Sequence, residues 1–178
     1  VVEDATIADL DPEAIEKARK EYTKRNPFRK AEISAWDDTK FLDKAKITIN
    51  GKITRTALVL LGKEESEHLL TPYVACIRWS LREVGATQNK DYEILSMPLL
   101  LSVDKLYNKV RNVKYRLVRP DSMFPDEMLR YDMFNIREPL NNAIAHQDYT
   151  KCARIEVVEY EDDHIIFQNY GTFLPESV

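Results

Sequence analysis

Apolar residues in the first third of the chain recur at helical spacing, interrupted by caps and prolines. In "LDPEAIEKARKEYTKRN", Asp11 stands as an N-cap, Pro12 suits the first helical position, and Glu13 and Glu16 favour the positive end of the helix dipole. Asn26-Pro27 ends that helix, because proline steers the residue before it away from helical backbone. "SAWDDTKFLDKAKI" predicts a second helix, capped by Ser34, with Trp36, Leu42 and Ala45 among its apolar positions. Asn50-Gly51 predicts a tight turn between Ile49 and Ile53. Thr54 to Leu61 then predicts a third, buried helix stopped by Gly62.

Past a charged turn at Lys63 to His68 the pattern changes. Tyr73 to Trp79 and Asp91 to Leu95 read as strands joined by a polar loop. Leu99, Val103, Leu106 and Val110 fall on one helical stripe, and Lys114 to Val118 reads as a short strand. Pro120 and Pro125 bracket a loop before a helix in "IREPLNNAIAHQDY", Ile136 to Tyr149. "ARIEVVEYEDDHIIFQN" predicts a β-hairpin turning at Asp162-Asp163. Together these elements predict an α+β fold. Residues 1–63 form a small helical N-terminal half and residues 64–178 a sheet-plus-helix region.

Composition adds limits. At 178 residues, 44% hydrophobic and 31% charged, the chain can bury a real core and is an ordinary globular sequence. Its net charge of −4 and pI near 5.5 argue against a stand-alone DNA-binding surface, which needs a basic excess. Cys76 and Cys152 lie far apart outside any C-x-x-C and are expected as thiols in a reducing cytosol. His68, His146 and His164 lack metal-ligand spacing, so no zinc site is expected. No apolar run approaches the roughly 18 residues of a membrane span, and the opening residues lack a signal-peptide pattern. A cytoplasmic protein without a membrane partner is expected. The missing initiator Met and the ending "FLPESV" suggest a piece of a longer protein.

The candidate chemistry lies in "IREPLNNAIAHQDY". Ile136, Leu140, Ala143 and Ile144 share one side of the helix, while Asn135, Glu138, Asn142 and His146 share the other. Amphipathicity explains such a pattern in any surface helix. Solvated faces, however, favour Lys and Glu, and the mediocre helix former Asn occurs here twice in succession, at Asn141 and Asn142. His146, Asp148 and Tyr149 form a polar tail suited to ordering the helix end. Trp36 and Trp79 read as core or interface residues.

"EPLNNAIAH", Glu138 to His146, resembles the N-box of the GHKL ATPase superfamily, E-x-x-x-N-A. "FQNYGTFLPES", Phe167 to Ser177, resembles the superfamily's D-x-G-x-G-I-P-E box, with Asn169, Gly171, Leu174, Pro175 and Glu176 in register. More narrowly, "REPLNNAIAHQDY…IEVVEYEDDHIIFQNYG" and "GKITRTALVLLGK" are similar to bacterial transcriptional regulators labelled RecG-like ATP-dependent DNA helicases. Those proteins usually begin with a Schlafen-related, AlbA-type DNA-binding domain, so the resemblance implies DNA as a partner through a domain outside this chain. It also implies a GHKL-like module from about Arg116 onward, truncated at the end, with ATP and Mg²⁺ as cofactors. On that resemblance Glu138 falls at the general base, Asn142 at the Mg²⁺ ligand, Asn169 at the adenine-reading position and Gly171 where backbone approaches closely. An amide oxygen suits Mg²⁺, and a carboxylate one turn away can position a water.

The sequence departs from that pattern at three positions. Asn169 replaces aspartate, Phe173 stands where the second glycine belongs, and Pro139 interrupts the N-box helix. No phosphate-binding G-x-x-x-x-G-K-[ST] loop occurs, so these residues carry no helicase motif, and any activity would be that of an ATPase in the intact parent. The competing expectation is a non-enzymatic scaffold, a homodimer or a signal transmitter built on a retired ATPase fold.

Overall fold

A computed structural model of the chain describes residues 1–112, 114–118, 124–161 and 163–171. The fold is α+β. Its first part is helical: α1 (Pro12–Arg25), α2 (Lys30–Ser34), α3 (Asp38–Lys44), the ribbon β1 (Thr48–Ile49) and β2 (Lys52–Ile53), and α4 (Arg55–Leu61). The remainder comprises β3 (Ile77–Arg82), β4 (Asn89–Leu95), α5 (Leu99–Lys109), β5 (Lys114–Leu117), β6 (Asp126–Leu129), α6 (Met133–His146), β7 (Ile155–Tyr160) and β8 (Ile165–Gln168).

Local chemistry sets the boundaries of the helical part. Asp11 accepts from the Ala14 N–H at 3.0 Å and caps α1 ahead of Pro12. Asn50 (φ 51°) and Gly51 (φ 76°) turn β1 into β2 with the paired left-handed residues that a two-residue hairpin demands. The single second helix expected from Ser34 is instead two. Ser34 ends α2, its hydroxyl donating back to the Lys30 carbonyl at 2.9 Å, and Asp37 caps α3 through the Lys40 N–H at 2.7 Å. The Arg19 guanidinium stabilises this break. It donates to the Ile33 and Trp36 carbonyls at 2.9 and 3.0 Å, pairs with Asp38 at 2.7 Å, and lies 4.4 Å from the Phe41 ring centroid. Gly62 does stop α4, but in extended rather than left-handed backbone (φ −67°). A Cβ there would lie 2.5 Å from the Leu58 carbonyl oxygen, so close approach explains the glycine.

The main sheet runs β4-β3-β7-β8, with β3 and β7 parallel at its centre and antiparallel partners on either side. The first strand begins at Ile77 rather than Tyr73, since pairing with β4 carries it on to Arg82. β6 was not anticipated: "DEML" has little intrinsic strand preference, and its partner β5 defines it through register pairs such as Tyr115 with Met128. One hydrophobic core runs from Leu10 and Phe41 in the helical part through α5 and α6 to Val157 of β7. Trp36 and Trp79 are both buried within it. The predicted stripe Leu99, Val103, Leu106 and Val110 is entirely buried. Lys17 of α1 and Arg137 of α6 each bind Asp104 of α5 at 2.6 Å, tying the helical part to the helix that carries the candidate site. No described helix is long and apolar enough to cross a membrane.

Candidate functional site

The candidate helix starts earlier than the sequence pattern suggests. Asp132 accepts from the Asn135 N–H at 2.9 Å and nucleates α6 at Met133, so Pro139 lies inside the helix rather than at its start. Without an N–H, Pro139 leaves the Asn135 carbonyl without its helical donor. Ile136, Leu140, Ala143 and Ile144 are buried and hold α6 on the core. This orientation leaves Glu138 and Asn142 exposed one turn apart, the Asn142 Nδ2 lying 3.5 Å from the Glu138 Oε1.

The second half of the site comes from the end of β8. The Asn169 Nδ2 donates to the His146 carbonyl at 3.0 Å, and the Tyr170 N–H donates to the Gln147 Oε1 at 2.8 Å. Gln147, itself buried, donates onward to the Ala153 carbonyl at 2.8 Å. A Cβ on Gly171 would lie 1.6 Å from the His146 oxygen, so glycine is required for this strand end to seat on the helix terminus. The last carbonyl of α6, that of His146, thereby finds a donor.

Between α6 and this strand end lies a cavity of about 310 Å³, lined by Pro139, Asn142, His146, Phe167, Asn169 and Gly171 among others. Three of the four residues singled out from sequence therefore share one cavity. Glu138 stands a turn back, outside the lining and reached through Asn142. Phe173, Leu174, Pro175 and Glu176 lie outside the described residues. The volume is at the small end of the roughly 300–1,000 Å³ of ligand sites. No lysine or arginine lines it among the described residues, and its His146 side is the negative end of the helix dipole. An anion would therefore be better placed toward Asn142 than toward His146.

The Asn142 amide oxygen accepts no hydrogen bond from another described residue, and the Glu138 carboxylate lies one turn back beside the Asn142 nitrogen. One neutral oxygen and one carboxylate fit a Mg²⁺ completed by phosphate oxygens and water, the usual form of such sites. Asn169 uses its nitrogen on His146, leaving its oxygen to accept an amino N–H.

Several contributing residues were not legible in the sequence. Phe167 carries a faint signal, the β8 alternation that puts it on the Ile165 face, whereas Gln147 carries none. The adjacent asparagines separate in function: Asn142 lines this cavity and Asn141 two others. The polar tail is structural in geometry. Asp148 accepts from the Thr150 N–H and hydroxyl, which hold its carboxyl below the usual range, while the Tyr149 hydroxyl donates to the Ile144 carbonyl at 3.0 Å. Burial pushes the Tyr149 phenol well up.

A family model described as a domain of unknown function, DUF8451, matches residues 1–77 and so ends where β3 begins. No curated protein matches the chain. The crystal structure of the DIP2311 protein from Corynebacterium diphtheriae is similar over 96% of this chain, with a TM-score of 0.64 and 19% identity. This chain spans 32% of that protein's length, and the likeness is one of fold.

Proposed function

We propose that this chain is part of a cytoplasmic bacterial transcriptional regulator of the RecG-like, Schlafen-AlbA-related kind, carrying a GHKL-like nucleotide-binding module. The observation supporting this reading is the convergence of Asn142, Asn169 and Gly171 on one cavity from two distant stretches of sequence. In this reading the Asn142 oxygen holds Mg²⁺, the Asn169 oxygen accepts from the adenine amino group, and Glu138 orients a water at the rim. ATP supplies the phosphate oxygens that complete the metal's shell. Hydrolysis belongs at most to the intact parent, and DNA contact to an AlbA-type domain outside this chain. Equilibrium binding of ATP and ADP to the full-length protein tests it. Saturable binding is expected, weakened at least tenfold by Asn142→Ala; no binding to either protein overturns the reading.

A second reading, a non-enzymatic dimerising or signal-transmitting scaffold on a retired ATPase fold, has its own support. Asn169 and Gly171 both have a structural role on the His146 carbonyl that needs no nucleotide. The β5–β6 ribbon also exposes Tyr115, Met128 and Leu129. Sedimentation giving a strict monomer at every concentration would sink the dimeric form of this reading.

A further inference from the structure

We infer that the open cavity between α4, α5 and the C-terminal half of α6 binds a small apolar carboxylate. It shares no lining residue with the Asn142 cavity, so the inference is independent of the nucleotide reading. The cavity has a volume of about 530 Å³, well inside the range of small-molecule sites. Val59, Leu60, Leu100, Val103 and Ile144 supply its walls. The walls are mainly apolar yet open to solvent, so an apolar occupant gains by releasing water from them.

The rim identifies the charge of the occupant. The exposed Arg55 guanidinium lies 4.6 Å from the centroid of the Tyr73 ring, and both residues line the cavity. The cation–π contact with Tyr73 holds the guanidinium at the rim, and no hydrogen bond to a described residue uses its N–H groups. No carboxylate among the described residues lies within ion-pair distance of it. The acidic group on the same rim, Asp148, is turned to its own loop, accepting from the Thr150 N–H at 3.1 Å and the Thr150 hydroxyl at 2.5 Å. A ligand with an apolar body and one carboxylate would fill the hollow and present two oxygens to Arg55, the planar pairing that a guanidinium favours.

Fluorescence titration with 1-anilinonaphthalene-8-sulfonate, a planar apolar anion, reads the site. Displacement by decanoate, decanol and decylamine then separates shape from charge. One saturable dye site is expected, with decanoate displacing the dye about tenfold better than decanol and decylamine worse than both. Arg55→Gln should abolish the decanoate advantage and leave decanol unchanged. Ala145→Trp, which fills the cavity from an exposed lining position, should abolish dye binding while leaving the thermal melt intact. Absence of a saturable site, equal displacement by decanoate and decanol, or undiminished binding in a folded Ala145→Trp protein each overturns the inference.

Discussion

Gly171 bears most directly on what the candidate site is. The resemblance to a nucleotide-binding box gives this glycine the role of admitting a ligand, whereas its geometry admits the His146 carbonyl instead. Neither this contact nor the Asn169 donation beside it could be read from sequence, because both depend on where α6 ends in space. Sequence pattern did mark Asn141 and Asn142 as unusual on a solvated helix face, whereas Asn169 stood out only through the resemblance. It could not reveal that one end of the Asn169 amide is already bound. Gly171→Ala forces a Cβ onto the His146 carbonyl, so a loss of about 2 kcal/mol in urea denaturation is expected from overpacking. Unchanged stability would mean that the strand end is not seated on α6.

At the scale of elements, legibility followed the regularity of the apolar pattern. α5 was readable because its stripe is long and wholly buried. The start of α6 was not, because Met133 and Phe134 are exposed outside the buried stripe and the deciding feature is the Asp132 cap. β6 was unreadable because its identity comes from β5 across the ribbon. Pro139 is the conspicuous local conflict in α6, a residue worth about 3 kcal/mol against a helix interior. Such conflicts tend to survive at functional sites, and Pro139 lines the candidate cavity. Pro139→Ala is expected to raise stability by about 1–3 kcal/mol in thermal or urea melts, by restoring the bond to the Asn135 carbonyl. A neutral or destabilising result would show that the helix has fully absorbed the proline.

Across the whole molecule, the helical part and the sheet part share one core, and the Lys17–Asp104–Arg137 cluster reinforces that union. Burial acts to raise the Asp104 carboxyl, but hydrogen bonds from Lys17 and Arg137 outweigh it and hold the group below its ordinary range. A carboxyl lowered in the folded state stabilises the fold above its unfolded value, about 3.9 for aspartate, and that stability is lost as pH falls through the lowered folded value. Because Asp104 is 40% exposed, solvent screening reduces the contribution. Asp104→Asn should therefore cost about 1 kcal/mol at pH 7, and the gap should narrow as pH falls below about 4 when urea midpoints are compared. A gap independent of pH would assign the cost to packing rather than charge.

If Asn142 acts on nucleotide through Mg²⁺, as proposed, metal and nucleotide binding are coupled through its side chain. ATP affinity of the full-length protein is measured by calorimetry with and without Mg²⁺, in wild type and in Asn142→Ala. Mg²⁺ is expected to strengthen binding to the wild type, and Asn142→Ala to remove most of that gain while affecting metal-free binding little. No nucleotide binding, or an equal Mg²⁺ effect in both proteins, would contradict this coupling.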